Sequence, residues 1–290
     1  MIRLLHIYRW LKKFIIFPKQ FLKLLYQDYK TDKANENKSY KYKFILIIGL
    51  PKSGTTLIEK ILRSLGYIDQ STSPLRIFDN RNLKNPHDLS DNMFKIIPKN
   101  KFSFLKLHSH FTEENLALIK KYNPKVIISL RNLKDVLISR YTHILSDKTH
   151  RHHNKIKTLN TKDGFMKSLI YKNSHDTPIR PLDYFFFWIK NWGENIKKNK
   201  LKFLELKFEE FKLNKLNYLH KILKYLEIKD VDTKKILNEL NLDDELLKTN
   251  NLKKNLKNFI KPQTYNIDKK IRQELNKKDI ENFITSNLPK

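Results

Sequence analysis

Residues 43–67 read KFILIIGLPKSGTTLIEKILRSLGY. The opening FILII (44–48) is a continuous apolar run, the pattern of a parallel strand buried on both faces. A turn bracketed by Gly49 and Gly54 follows. From Thr55 onward Leu57, Ile58, Ile61, Leu62 and Leu65 recur at helical spacing. Glycines between a strand and a helix let successive backbone N–H groups face an anion, and the helix start adds partial positive charge. Lys52 adds a full charge, and the Thr55 and Thr56 hydroxyls are further donors. The stretch therefore predicts an anion site. It departs from the nucleotide-hydrolase loop G-x-x-x-x-G-K-[ST] in one respect. Thr55 stands where that loop has lysine, and the lysine here is Lys52.

Outward from the loop, strands are predicted at FSFLKLH (102–108), KVIISL (125–130) and KFLELK (202–207), with helices at 112–122, 133–145 and 182–199. Alternating strands and helices specify a parallel sheet covered on both faces, a three-layer α/β/α architecture. Residues 70–100 and 146–181 are polar and read as long irregular stretches, the first one long enough to need a functional reason. KTDKANENKSYK (30–41) reads as a linker, dividing the chain into a basic amphipathic extension, 1–42, and a domain, 43–290.

A chain of 290 residues that is 40% hydrophobic buries a sizeable core. With 18 Phe and 13 Tyr it is not a disordered polymer. The absence of cysteine excludes disulfide scaffolds, thiolate zinc sites and cysteine nucleophiles, and fits a reducing, cytoplasmic compartment. The net charge of +29 favours polyanionic partners, but heavy Lys, Asn and Ile usage with little Gly or Ala reflects composition bias as much as a ligand. No nucleic-acid motif accompanies the charge, so no nucleic-acid partner is expected. Residues 1–29 interleave Leu, Ile, Phe and Trp10 with basic residues, unlike the uncharged core of a signal peptide. Two readings stay open for them, a helix lying peripherally on a membrane surface and a helix packed on the domain.

The chemistry narrows at the next strand. VIISLRN ends in Arg131, a cation where a nucleotide hydrolase carries a magnesium-binding acid. Both departures point to transfer of a group needing less metal neutralisation than a γ-phosphoryl, and a sulfuryl group has one less negative charge. PKSGTT (51–56) resembles the 5′-phosphosulfate loop of the sulfotransferases that use 3′-phosphoadenosine 5′-phosphosulfate (PAPS). RNLKDVLIS, from Arg131 to Ser139, resembles that family's second hallmark, RNPKDVLVS. The resemblance covers roughly 43–211 and implies a P-loop NTPase-like fold, PAPS as cofactor and no metal.

By the same resemblance Lys52, Ser53, Gly54, Thr55 and Thr56 would hold the 5′-phosphosulfate, and Arg131 and Ser139 the 3′-phosphate. Eight residues of helix span roughly 12 Å, a distance the long Arg side chain can fold back along. In cytosolic members a strand ends in K-T-H, whose histidine removes the acceptor's proton. FLKLHSH places Lys106 and His108 at those positions. Imidazole suits the task because its ordinary pKa lies near neutrality. Glu59, one turn into the helix, and His110 remain alternative bases, taken after His108 in that order. Lys52 and Lys106 would stabilise charge on the transferring group and the leaving oxygen. KFEEF (207–211) sets Phe208 where the family has an aromatic for adenine, and a core phenylalanine fits that position equally.

The usual R-K-G and G-x-x-G-x-W-K closing elements are missing, and Lys253 and Lys254 in NNLKKNLKNF (250–259) are the nearest basic equivalents. Trp188 and Trp192 read as packing residues. HRHH (150–153) with His143 fits no closed zinc spacing and reads as a solvated basic loop that helps shape an acceptor pocket. The expected activity is sulfuryl transfer to a hydroxyl, or an amine, of a small-molecule, lipid or glycan acceptor. A small-molecule kinase and a non-catalytic basic anion-binding protein are the alternatives.

Overall fold

The computed structural model describes residues 40–71, 88–148, 150, 152–170, 180–199 and 201–241, with Leu22, Tyr26, Tyr29 and Lys33. The expectations for residues 1–21, for 72–87 and for Lys253 and Lys254 lie outside the described residues. Those described fall into two compact units, one within Met1–Leu130 and Lys200–Asn241, the other within Arg131–Asn199.

The first unit carries the sheet: β1 (Phe44–Gly49), β2 (Ile68–Asp69), β3 (Ser103–Leu107), β4 (Lys125–Leu130) and β5 (Leu204–Lys207). They lie in the order β2-β3-β1-β4-β5, and every pair is parallel. The fold class read from the sequence is therefore the fold observed. Its helices are α1 (Thr55–Ser64), α2 (Asp91–Ile96) and α3 (Glu113–Tyr122), then, beyond β5, α8 (Phe208–Leu213), α9 (Lys215–Tyr225) and α10 (Thr233–Asn241).

Alternation along the strands sorts the sheet's two faces. Ile45, Ile47, Phe104, Ile127 and Leu206 turn to one side, where Leu57, Ile58, Ile61 and Leu62 of α1 meet Leu219 and Ile222 of α9 and Ile236 and Leu240 of α10. Each such aliphatic side chain, fully buried, contributes about 1.5–3 kcal/mol. On the other side Phe44 meets Phe94 of α2 edge-on at 6.0 Å, and Phe94 stacks on Tyr122 of α3 at 4.3 Å.

Two features went unread in the sequence. Strand β2, at the sheet edge, is only two residues long and shows no apolar run. Helix α2 lies inside the stretch read as irregular, started by the Ser90 side chain accepting from Met93 N and burying only Met93 and Phe94.

The second unit contains α4 (Leu133–Ser146), α5 (His153–Ile156), α6 (Thr161–Ile170) and α7 (Pro181–Lys198). Helices α5 and α6 correct the expectation of an irregular stretch at 146–181 where they lie, and residues 171–179 fall outside the described residues. Their apolar faces amount to Ile156, Phe165 and Leu169, too few to stand out among polar neighbours but fully packed. Tyr141 of α4 meets Phe165 edge-on at 5.6 Å, and Arg140 Nη1 donates to the Ser168 carbonyl at 2.8 Å. Helix α7 begins with Pro181, pre-set for a first helical position, and its Trp188 and Trp192 are fully buried. Among the described residues no helix is long and apolar enough to cross a membrane.

Candidate active site

In a parallel sheet, ligands gather beyond the C-terminal strand ends where successive connections depart in opposite directions. Here β1 leads to β2 on one side and β4 to β5 on the other, so that point lies between β1 and β4. Gly49 and Ser129 are the registered pair there. The loop folds tightly over them. Ser53 N and Ser53 Oγ both donate to the Leu50 carbonyl, at 3.1 and 2.8 Å, and Ser129 Oγ donates to the Ser53 carbonyl at 3.0 Å. A Cβ on Gly49 would sit 2.5 Å from Thr55 Cγ2 and 2.8 Å from Ser129 Cβ, so glycine is required for the close approach.

Two residues of the loop adopt left-handed backbone, Lys52 at φ 72° and Gly54 at φ 110°. That reversal turns the chain into α1 with Gly54 as its N-cap and no side-chain cap. Helices α2, α3, α4 and α9 each start with a capping side chain from Ser90, Thr112, Asn132 or Asn214. At α1 the Leu57 N–H turns back to the Gly54 carbonyl at 3.0 Å, while the N–H groups of Thr55 and Thr56 have no acceptor within the helix, the arrangement that receives an anion. No acidic residue occupies that first turn. Thr55 is buried and Thr56 exposed. The Ser53 side chain, expected to hold an anion, closes the loop on the Leu50 carbonyl.

His108 follows β3 and is half-buried. Its Nδ1 contacts the Gly49 carbonyl oxygen in a short hydrogen bond. A carbonyl only accepts, so Nδ1 carries a proton, and in the neutral form of the ring Nε2 is then the basic nitrogen. Strand β3 ends at Leu107, so His110 does not alternate onto the face of His108 as a continued strand would require. Its carbonyl accepts from Asn115 Nδ2 at 2.8 Å.

Glu59 and Lys106 are brought together: Lys106 Nζ pairs with Glu59 Oε2, and Arg63 Nε lies 3.3 Å from Glu59 Oε1. Phe208 packs against the loop, where a Cβ on Gly54 would lie 2.7 Å from its Cδ2. Its half-buried ring also packs against the core cluster beneath α1 and lies 6.2 Å from Phe211 in a stacked arrangement. Ser129 and Asn115 were missed in the sequence. Ser129 is the one polar residue in the apolar run VIISL, and that interruption was the available signal.

In the second unit, Arg131 directly follows the last residue of β4, and its side chain is 8% exposed. Asn132 caps α4 by accepting from Asp135 N at 2.8 Å, and Ser139 is buried further along the same helix. The expectation of a solvated loop at 150–153 is corrected: His152 and His153 are buried, and His153 Nδ1 bonds the Ile144 carbonyl at 2.9 Å. His150 packs against His152 and His143. Burial, then Arg140, His152 and His143, push its pKa down to about 4. Among the described residues no group of three or more His, Asp or Glu is placed to hold a metal ion.

A family model described as Sulfotransferase domain matches residues 43–286. The chain belongs to the sulfotransferase domain family. The enzyme class read from the loop and the Arg131–Ser139 segment, a sulfotransferase, stands on that match, which sets the kinase reading aside. Among solved structures, mouse sulfotransferase SULT7A1 complexed with PAP is 21% identical, with 72% of this chain and 67% of that chain covered and a TM-score of 0.47. Retinol dehydratase in a complex with retinol and PAP is 17% identical, covering 78% and 70%, with a TM-score of 0.42. Retinol dehydratase with androsterone and inactive cofactor PAP is 17% identical, covering 73% and 67%, with a TM-score of 0.41. No curated protein sequence matches the chain.

Proposed function

We propose that this sulfotransferase uses PAPS without a metal ion and moves its sulfuryl group to a hydroxyl, or an amine, of a small-molecule, lipid or glycan acceptor, with His108 as general base. The observation that carries the proposal is the His108 Nδ1 bond to the Gly49 carbonyl. One backbone group thereby ties the proton acceptor to the loop that receives the anion, and fixes which ring nitrogen is basic. Nε2 takes the acceptor's proton. Lys52, the first-turn N–H groups of α1 and the Thr55 and Thr56 hydroxyls hold the 5′-phosphosulfate, and Lys52 assists the leaving phosphate oxygen. Lys106 faces the transferring group. Arg131 and Ser139 hold the 3′-phosphate, a role that rests on the sequence motif. Bound there, PAPS supplies a sulfuryl group already activated for transfer.

Residues 1–42 act, in this reading, as an extension to a catalytic domain of 43–290. Leu22, Tyr26 and Tyr29, at helical spacing and 54%, 57% and 56% exposed, support peripheral contact with a membrane surface by a cytoplasmic protein. The deciding experiment is His108→Ala in an acceptor screen with PAPS. Turnover should fall by about 10²–10⁴-fold while PAP binding, measured by calorimetry, is retained. Equal turnover in both proteins would remove His108 from the chemistry. No turnover in either would favour a non-catalytic anion-binding protein.

A further inference from the structure

Glu59 belongs to a closed circuit of polar contacts. Its Oε2 takes the Lys106 ammonium, and its Oε1 takes Arg63 Nε at 3.3 Å. Arg63 reaches on through Nη2 to Asp69 Oδ2 at 3.1 Å. Asp69 is fully buried, and its other oxygen accepts from Ser71 N at 2.7 Å and Ser71 Oγ at 2.6 Å. Ser71 Oγ in turn accepts from Lys106 N at 2.7 Å, which returns the circuit to its starting residue. Beneath it the Arg63 guanidinium lies 5.8 Å from the centre of the Phe104 ring.

We propose that Glu59, Arg63 and Asp69 are positioning residues for Lys106, and that Glu59 serves as its counter-ion and not as the base. The inference rests on the reading above, in which Lys106 faces the sulfuryl group. A lysine ammonium sits on a flexible four-carbon stem with three rotatable donors, so by itself it defines no direction. Placement matters because an error of about 1 Å in a catalytic group can cost 10²-fold. Each member of the circuit removes a degree of freedom. Both Glu59 oxygens are engaged by cations, which leaves the carboxylate poorly placed to collect an acceptor's proton. Arg63 cannot follow Lys106 away because Asp69 holds its far end, and a fully buried carboxylate is itself fixed by its need for partners. The circuit joins α1, which carries the anion loop at its start, to β3, which carries His108 at its end. A purely structural staple between α1, β2 and β3 would make the same contacts, so the test must separate the two.

Lys106 touches only the sulfuryl end in this proposal, so its effect is read as the preference for PAPS over PAP. Calorimetric titration of the full chain with each compound gives that ratio for wild type, Glu59→Gln, Lys106→Ala and the double variant. The expected result is that Glu59→Gln and Lys106→Ala each weaken PAPS by about 10-fold while PAP stays within about twofold, the sensitivity to misplacement noted above. The double variant should be no worse than Lys106→Ala, since Glu59 acts through that lysine. Asp69→Asn keeps the shape and the Ser71 contacts and should show the same selective loss, smaller in size. Equal weakening of PAPS and PAP in Glu59→Gln, or additive losses in the double variant, would overturn the proposal and leave a structural staple. A wild-type protein that bound neither compound would overturn the donor assignment itself, and this inference with it.

Discussion

Gly54→Ala adds one methyl group where two separate obstacles meet, and the structure allows each to be sized. The backbone at Gly54 has φ 110° and ψ 9°, a conformation that an L residue adopts only under strain of about 1–3 kcal/mol. The new Cβ would also lie 2.7 Å from Phe208 Cδ2, so the half-buried ring must move from its place beside the loop, at about 1–3 kcal/mol. Together the substitution should destabilise by about 2–6 kcal/mol, roughly 4–24 °C in Tm for a domain of this size. The two parts separate in a cycle with Phe208→Leu, which removes the obstructing ring edge and leaves the dihedral strain. Urea denaturation of the four proteins should give a coupling of about 1–2 kcal/mol, the double variant recovering the steric part only. PAP affinity should stay low in both proteins that carry Gly54→Ala, because the strained turn aims the N–H groups of α1. A coupling below about 0.5 kcal/mol would mean that Phe208 is not the obstacle. A Gly54→Ala protein as stable as wild type would refute the argument from left-handed backbone altogether.

Arg131→Ala should weaken PAP by about 10–100-fold through lost charge-assisted hydrogen bonds while leaving 5′-AMP, which lacks the 3′-phosphate, within about twofold. Equal losses for both nucleotides, read by calorimetry, would remove Arg131 from the 3′-phosphate. The pKa of His150 is pushed down to about 4 from its ordinary 6.5, so the unfolded chain binds more protons than the folded one between those values. Stability contributed by this group is therefore present above about pH 6.5 and lost as pH falls toward 4. A fully shielded ring would account for about 3 kcal/mol, which exposure reduces to about 1–2 kcal/mol. Urea titrations of wild type and His150→Gln across that window should differ by this slope, and parallel curves would contradict it.

What the sequence disclosed follows from how locally each feature is written. Strands β1 and β4 are buried on both faces, and their apolar runs, FILII and VII, were readable for that reason. Strand β2 exists because Ile68 N and Gln70 N donate to the Phe102 and Phe104 carbonyls, contacts that leave no mark on its own composition. Helices α2, α5 and α6 bury one or two apolar residues each, below the level at which a period shows. At the site, the loop was legible because glycines, a lysine and threonines must be adjacent to do their work. The Glu59–Lys106 pair spans 47 positions and was beyond any local pattern. Only the Glu59–Arg63 contact, four residues apart on α1, was written where a reader could find it. Ser53 illustrates the reverse. A loop serine looks like a ligand donor, yet its hydroxyl closes the turn on the Leu50 carbonyl.

Gly49 shows why loop and base are one feature and not two. Without a Cβ it admits Thr55, Ser129 and Ser53 into the space a side chain would occupy, and this lets the loop fold back over the end of β1. The same folding leaves its carbonyl directed at His108, whose tautomer it fixes. In the proposed mechanism the residue that lets the backbone surround an anion thus also sets the nitrogen that accepts a proton. A loop that kept its N–H groups but shifted at Gly49 would lose the base with it. The lysine absent after Gly54 is consistent with this economy. Thr55 Cγ2 fills the space beside Gly49, and Lys52, in left-handed backbone at φ 72°, supplies a cation from within the same turn.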